Sequence, residues 1–144
     1  MFFYWLTIFS LFIVDRFTKV YILQKSSLIS SVVTQTGGDF LSFYLNKNLA
    51  FSLPIFVWIL WPLLLGILAW LLFFTWQMYQ QKQMIFLPLS LIITGAVSNI
   101  LDRLLYGGVV DFINIWQFPV FNLSDVYITI GVLWVLLFEL RKQK

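Results

Sequence analysis

The chain has 144 residues, of which 61% are hydrophobic and only 10% are charged. Soluble domains average about 45–50% apolar and about 25% charged residues, so this composition excludes an ordinary soluble domain. Because cysteine and histidine are both absent, disulfides, thiolate or imidazole metal sites and histidine-dependent catalysis are excluded as well, and we expect neither a metal nor a cofactor. The net charge of +3 is small and no basic run is interleaved with aromatic residues, so we expect no nucleic-acid partner.

Four hydrophobic stretches are long enough to cross a bilayer, which takes about 20 mostly apolar residues in a helix. We predict helices over about residues 2–23, 54–76, 84–105 and 123–140. The first stretch is interrupted by Asp15, Arg16 and Lys19. It has neither a basic start nor a small-residue cleavage site, so we interpret it as a retained helix and not as a signal peptide. The sequence predicts an all-α membrane protein, a four-transmembrane-helix bundle in a single domain over residues 1–144.

The segment between the first two helices, about residues 28–53, does not resemble a helix. Residues 31–36 are polar and β-branched, residues 37–39 form a Gly-Gly-Asp turn signal, and residues 40–45 resemble a strand. We predict a small hairpin here, on the outer face of the membrane. Residues 109–115, after a second Gly-Gly pair, are another short strand candidate.

The distribution of basic residues predicts the orientation in the membrane. Four spans place both termini on the same side. The loop between the second and third helices and the C-terminal tail together hold four basic residues, which favours a cytoplasmic location for both termini. These are Lys82, Arg141, Lys142 and Lys144. The bias is modest, because the opposite loops hold Lys25 and Lys47.

Polar side chains concentrate at one predicted depth, near the outer boundary of the membrane. Ionisable groups are costly inside a bilayer, and they mark functional sites or structural ion pairs. Separate parts of the chain contribute to this level, whereas the inner half of the bundle has few polar residues. The residues are Asp15, Lys19, Asn46, Asn99, Asp102, Arg103, Asp111, Asn122 and Asp125.

Much of this cluster has a purely structural interpretation. Asp15 with Lys19, and Asp102 with Arg103, are expected to be ion pairs that neutralise one another inside the membrane. Arg16 is expected to extend its charged end to the membrane interface. The three asparagines would then tie loops to helix ends through amide hydrogen bonds.

Asp111 stands apart, because no basic residue lies within seven positions of it. The acid that most resembles Asp111 is Asp125, which lies at the start of the fourth predicted helix. The dipole of that helix also favours an acid at this position. Two carboxyl groups in a semi-apolar site share one proton, as in aspartic proteases, where one activates water and the other protonates the substrate. Spacing alone leaves open a proton or ion transporter that uses the same two residues as a relay. It also leaves open a non-catalytic membrane assembly subunit held together by the polar cluster.

Several motifs together resemble the lipoprotein signal peptidase (signal peptidase II) family. The central motif corresponds to residues 94–103, TGAVSNILDR, followed by residues 108–113, GVVDFI. The last motif of the family, Phe-Asn-x-Ala-Asp, resembles residues 121–125, FNLSD. Asp15 and Lys19 match an Asp-x-x-x-Lys motif of the first helix, and residues 46–52, NKNLAFS, resemble Asn-x-Gly-Ala-Ala-Phe-Ser. The motifs occur in the family's order along the whole chain.

The resemblance implies a bacterial intramembrane aspartic endopeptidase that cleaves signal peptides from prolipoproteins already modified with diacylglyceryl. It implies that Asp111 and Asp125 are the catalytic pair, and that Asp15 and Lys19 brace the site from the first helix. Residues that would support the pair and the substrate backbone are Asn46, Asn99, Asp102, Arg103 and Asn122. The implied fold is a four-helix bundle with a small extracytoplasmic β-sheet cradle. The implied location is the cytoplasmic (inner) membrane, with the site toward the outer leaflet, membrane lipid as a further partner and a monomeric state.

This chain departs from the family pattern at five positions. Thr94, Ser98 and Asn48 replace glycines, and Leu49 and Ser124 replace alanines. Where glycine allowed two backbones to approach closely, the packing must differ. Since both aspartates are retained, these departures concern the fit of the substrate more than the chemistry.

Overall fold

The structure is a computed structural model that describes residues 2–29, 41–47, 56–115 and 118–142. The elements follow the order α1 (Phe2–Ile29), β1 (Leu41–Asn46), α2 (Val57–Gln80), α3 (Phe86–Tyr106), β2 (Val109–Ile113) and α4 (Leu123–Lys142). The prediction of a mostly helical protein with a small sheet is confirmed. The first helix continues to Ile29, beyond the predicted end at residue 23.

Helices of the described residues are suited to a membrane. Three are long and apolar enough to cross a bilayer, namely Trp58–Gln80, Phe86–Tyr106 and Leu123–Arg141. The chain is thus a multi-pass membrane protein by the length and composition of its helices. Helix α1 has 28 residues, but it carries Asp15, Arg16 and Lys19 in its middle.

Helix α3 lies at the centre of the fold and packs most extensively on α4. Two glycines allow this close approach. A Cβ atom on Gly95 would collide with the backbone oxygen of Ser124, and one on Gly131 would lie only 2.8 Å from the backbone oxygen of Pro88. Small residues commonly let membrane helices pack backbone to backbone in this way. The contact fixes the start of α4 against the middle of α3.

An aromatic cluster joins α1, α2 and α3 at the end of the bundle away from the sheet. The ring of Phe86 lies edge-on to Tyr79 at 5.3 Å and to Tyr4 at 6.0 Å. Trp5 stacks on the same ring at 6.3 Å. The Tyr4 hydroxyl also donates a hydrogen bond of 2.5 Å to the backbone oxygen of Leu87. These contacts hold α1 in register against α3, because edge-to-face pairs add to simple apolar burial.

The left-handed conformation of Gly107 ends α3 and turns the chain into β2. Its φ is 73°, and its N–H donates to the carbonyl of Arg103 at 3.1 Å. A residue with a side chain is strained in this conformation, whereas glycine adopts it readily. Strand β2 therefore begins immediately above the last turn of α3.

Strand β1 pairs antiparallel with β2, with Asn46 opposite Val109 and Tyr44 opposite Asp111. The predicted strand at residues 40–45 is thus present, shifted by one residue, and its partner is a strand far along the chain. The first strand of the predicted hairpin, residues 31–36, and its turn at residues 37–39 lie outside the described residues. A bridge between Ile113 and Phe121 then brings the start of α4 beside β2.

Candidate active site

Asp111 lies on β2 and is almost completely buried, with 2% of its surface exposed. The amide of Asn122 donates to its Oδ1 at 2.6 Å, and the amide of Asn46 donates to its Oδ2 at 3.2 Å. Burial raises the pKa of Asp111 from 3.8 to about 6, with the hydrogen bond from Asn122 opposing the rise and the charge of Asp125 adding to it. This carboxyl group therefore holds a proton at a higher pH than an exposed aspartate does.

Asp125 lies in the first turn of α4. Its Oδ1 accepts a hydrogen bond of 2.9 Å from the amide of Asn99, and its Oδ2 accepts one of 3.1 Å from the backbone N–H of Asn122. In return, the backbone N–H of Asp125 donates to Asn122 Oδ1 at 3.1 Å. This reciprocal arrangement is a capping box, which satisfies N–H groups that a helix start leaves unpaired.

Asn122 contacts both acids, with its side-chain NH₂ group on the Asp111 carboxylate and its backbone N–H on the Asp125 carboxylate. A backbone N–H can only donate, so the oxygen of the Asn122 amide must face Asp125. The NH₂ group of the same amide must then face Asp111, with no alternative orientation that satisfies both contacts. Asn122 is completely buried, which holds this orientation. One residue thereby fixes both acids relative to each other.

A cluster of four charged side chains lies behind the two acids. Lys19 is completely buried, and its Nζ lies 3.1 Å from Asp15 Oδ2 and 2.8 Å from Asp102 Oδ2. Arg16 completes the cluster through an ion pair with Asp102. The predicted pair of Asp15 and Lys19 is confirmed. Two acids and two bases leave no net charge, as expected for charged groups that a protein buries.

The predicted pair of Asp102 and Arg103 is wrong, because the ion pairs of Asp102 are made with Arg16 and Lys19 of α1. Neighbouring residues on a helix point in different directions, so Asp102 and Arg103 do not face each other. The Arg103 guanidinium instead donates to the backbone oxygen of Asn99 at 3.3 Å. Arg16 was expected at the membrane interface, but it points inward, because α1 packs on the face of α3 that carries Asp102.

The amide of Asn99 connects this ion cluster to the acid pair. Lys19 Nζ donates to Asn99 Oδ1 at 3.0 Å, while Asn99 Nδ2 donates to Asp125 Oδ1 at 2.9 Å. An ammonium group has only donors, so the oxygen of Asn99 must face Lys19 and its NH₂ group must face Asp125. The buried charge of Lys19 on α1 therefore determines that Asn99 of α3 presents its NH₂ group to Asp125 of α4.

The structure brings the nine predicted residues into one region of the fold. Arg103 is close enough to interact electrostatically with both Asp111 and Asp125. Within the described ranges, no group of three or more acidic side chains is placed to hold a metal ion. The arrangement is suited to proton transfer, because each acid has fixed donors and burial raises the pKa of Asp111 to about 6.

Two members of this network, Ser98 and Ser124, were not predicted as site residues, since in the sequence they are distinguished only as departures from a motif. Ser98 Oγ donates to Asp15 Oδ2 at 2.5 Å, and Ser124 Oγ accepts a hydrogen bond of 3.1 Å from Lys19. One signal was available, since Ser98 precedes Asp102 by four residues and therefore shares its helix face. Nothing comparable in the sequence links Ser124 to α1.

A family model described as signal peptidase (SPase) II matches residues 7–141. A lipoprotein signal peptidase of Caldicellulosiruptor bescii is 37% identical over 136 residues, which cover 90% of this chain and 85% of that protein. One of Polynucleobacter necessarius is 41% identical over 81 residues, and that alignment covers 52% of this chain and only 50% of the relative. A bacterial membrane enzyme solved by the in meso method at 2.3 Å resolution has the same fold, with a TM-score of 0.73, 23% identity, and coverage of 100% of this chain and 91% of that one.

Proposed function

Because the chain belongs to the signal peptidase II family, we propose that Asp111 and Asp125 are the catalytic pair with which it removes signal peptides from prolipoproteins. By this membership it is a peptidase of the aspartic type. The observation that carries the proposal is the position of Asn122, which donates to Asp111 and exchanges two hydrogen bonds with Asp125. Two acids held by one buried residue are arranged to act as one unit.

The pair hydrolyses the peptide bond while holding one proton between its two carboxyl groups. The ionised group removes a proton from water, whose oxygen attacks the carbonyl carbon, and the protonated group donates to the carbonyl oxygen. The tetrahedral intermediate then collapses as the C–N bond breaks: the amine leaves with a proton from one carboxyl group, and a hydroxyl group of the intermediate gives its proton to the other, so the pair again holds one proton. The high proton affinity of Asp111, with its pKa near 6, supports this assignment because one carboxyl group must stay protonated close to neutral pH.

The surrounding polar residues support the pair. Asn46, Asn99 and Asn122 orient the two carboxyl groups through the hydrogen bonds described above. Asp15, Lys19 and Asp102 brace α1 against α3 behind the pair. Arg103, which interacts electrostatically with both acids, contacts the backbone of the substrate.

We further propose that all four helices cross the membrane, including α1. The charges of α1 are matched by ion pairs within the bundle, which lowers the cost of placing them at membrane depth. Both termini are cytoplasmic in this proposal, and the site faces the outer leaflet of the bacterial inner membrane. The basic residues Lys82 and Arg141 support it, since they lie at the end of the bundle opposite the sheet and basic loops stay in the cytoplasm.

The proposed substrate is a prolipoprotein that carries a diacylglyceryl group, and membrane lipid surrounds the monomeric enzyme. Large apolar side chains are exposed close to the site on three elements. They are Phe43 and Tyr44 of β1, Leu104 and Leu105 of α3, and Phe118 before α4. An acyl chain that packs along these side chains would fix the attached peptide over the pair, which lowers the entropic barrier to attack.

A cleavage assay on a purified prolipoprotein tests the proposal. Wild-type enzyme in liposomes should convert the diacylglyceryl form to a faster-migrating product, and leave the unmodified form intact. Asp111→Asn and Asp125→Asn should each abolish cleavage while remaining folded, and the losses should not add, since the two groups act together. The matched control is Asp15→Asn, which should retain part of the activity because Asp15 braces the site.

Two results would contradict the proposal. A folded Asp111→Asn or Asp125→Asn enzyme with near-normal turnover would remove the aspartic mechanism. Equal cleavage of the modified and unmodified substrates would remove the role of the lipid.

The transporter hypothesis is not favoured. A proton relay needs polar groups across the bundle, but within the described ranges the buried polar side chains away from the site are Thr75, Ser90 and Thr94. The hydroxyls of Ser90 and Thr94 donate to carbonyls of their own helix. The assembly-subunit hypothesis gives no reason for a buried and a half-buried acid to be held by the same residue, Asn122.

A further inference from the structure

Two serine hydroxyls lie at the junction of α1, α3 and α4. Ser98 on α3 and Ser124 on α4 are 1% and 0% exposed. Both face the same ammonium group, since Lys19 Nζ lies 3.1 Å from Ser124 Oγ and 3.5 Å from Ser98 Oγ. Among the hydrogen bonds of the described residues, Lys19 has three uncharged acceptors, namely these two hydroxyls and Asn99 Oδ1.

The same two residues hold the acid that pairs with Lys19. Ser98 Oγ donates to Asp15 Oδ2 at 2.5 Å, and the backbone N–H of Ser124 donates to Asp15 Oδ1 at 2.9 Å. Each oxygen of Asp15 is thus bound by a different helix. Ser98 also accepts a hydrogen bond of 3.3 Å from Arg16, which links it to the second base of the ion cluster.

Lys19 has fewer protons than acceptors. Its ammonium group carries three N–H bonds, while five oxygen atoms lie within 3.5 Å of Nζ. They belong to Asp15, Ser98, Asn99, Asp102 and Ser124. Small displacements of Nζ therefore decide whether Asn99 receives a full hydrogen bond or loses it to a carboxylate.

We propose that Ser98 and Ser124 are positioning residues that act on Asp125 through Lys19 and Asn99. The two hydroxyls hold Lys19 where one N–H bond reaches Asn99 Oδ1, and this contact keeps the NH₂ group of Asn99 on Asp125. Without them, Lys19 moves toward Asp15 and Asp102, and the Asn99 amide is free to rotate. The inference rests on the proposed function, in that Asp125 is one of the two catalytic acids.

The charges around Asp125 are unchanged by removing either hydroxyl. The charged groups that interact with it are Asp15 and Lys19 of α1, Arg103 of α3, and Asp111 of β2. A serine-to-alanine change alters none of them. A shift in the titration of the acid pair in such a variant therefore reports the geometry of Lys19 and Asn99, and not a change in net charge.

The test compares Ser98→Ala, Ser124→Ala and the double variant with wild type. On the diacylglyceryl substrate, we expect each single variant to lose roughly 3- to 10-fold in kcat with KM unchanged, a fraction of the ~10²–10⁴-fold that a general acid or base contributes. The weakened hydrogen bond from Asn99 stabilises the ionised acid less, so the acid limb of the pH profile should move to higher pH. The double variant should resemble the worse single variant, because both hydroxyls act through one ammonium group.

Ser90→Ala is the matched control. Ser90 is a buried serine of α3 whose hydroxyl donates to the carbonyl of Phe86 at 2.8 Å and lies beside Tyr4, away from Lys19. Its kcat and pH profile should equal those of wild type. Infrared titration of the protonated carboxyl groups supplies a second measurement that needs no turnover, and its midpoint should rise in the Ser98 and Ser124 variants but not in the control.

Two outcomes would overturn the inference. One is a kcat, pH profile and carboxyl titration like those of wild type in both single variants. The other is a loss that follows only the amount of folded protein, with the titration unchanged, since that would make the serines purely structural. Failure of the proposed function is distinguishable, because it would show as cleavage by Asp111→Asn, whereas the infrared titration still decides the role of the serines.

Discussion

Asn122 and Asp125 cap each other at the start of α4, each donating its backbone N–H to the other's side chain at 3.1 Å. The residues that begin the helix are therefore the residues that fix Asp125 and direct an amide toward Asp111. Helix initiation and the proposed active site form a single structural unit. A substitution at either position changes both together.

Asn122→Asp should separate these two roles. The new carboxylate can still accept the N–H of Asp125 and cap the helix, so the free energy of unfolding should fall less than in Asn122→Ala, where losing the cap costs about 1–2 kcal/mol. Both variants should be inactive, because neither can donate to Asp111. Thermal unfolding in detergent and the cleavage assay check this, and near-normal turnover of Asn122→Asp at neutral pH would contradict the donor role.

Asp111→Asn should stabilise the protein in a pH-dependent way. The folded pKa of about 6 lies above the ordinary value of 3.8, so ionisation favours the unfolded state, and the wild type loses stability as the pH rises from about 4 to 6. The variant has no such titration. Its melting temperature should exceed that of wild type more at pH 8 than at pH 4.5. A difference in melting temperature that does not depend on pH would mean that burial does not raise the pKa of Asp111.

Asp102→Ala should be strongly destabilising, because it leaves Lys19 and Arg16 without the acid that joins them. Removing one partner of a buried pair typically costs about 3–5 kcal/mol. Asp102→Asn keeps hydrogen-bonding atoms and should cost less. A double-mutant cycle with Arg16→Gln, read by thermal unfolding, should give a clear coupling energy between the two sites. Additive losses would show that the pair is energetically unimportant.

Gly95→Ala should impair both folding and cleavage. The added Cβ would lie 2.7 Å from Cγ1 of Ile128 and would also collide with the backbone of Ser124. Separating α4 from α3 moves Asp125 away from Asn99, and overpacking of this kind costs about 1–3 kcal/mol. Gly66→Ala on α2 is the matched control, since nothing lies within 4 Å of its added Cβ. Equal melting temperatures of the two variants would contradict the close contact.

The hydrophobic runs predicted the helices well, because the length of an apolar stretch is a local property and a bilayer demands about the same length from each helix. The gathering of polar residues at one level was predictable for the same reason. In a bundle of four helices, an amide or acid at one end of a helix lies close to the neighbouring helix ends. The absence of basic neighbours distinguishes Asp111 in the sequence, and Asp125 is the acid that most resembles it.

The partners across elements were harder to predict. Arg16 pairs with Asp102 on another helix. This pairing depends on how α1 is rotated about its own axis, which the sequence does not specify. Strand β1 pairs with β2, which is distant in sequence, and periodicity contains no information on such pairing. The serines were overlooked because a hydroxyl on a membrane helix usually bonds its own backbone, as Ser90 and Thr94 do.

The four-charge cluster also bears on how the protein is made. Helix α1 leaves the ribosome before α3, with Asp15, Arg16 and Lys19 in a stretch that is poor at entering lipid by itself. The acid that satisfies Arg16 and completes the pairing of Lys19 is near the end of α3. We therefore expect α1 to reach its final position only after α3 has been synthesised. A chain truncated before residue 102 should leave α1 at the translocon or at the membrane surface.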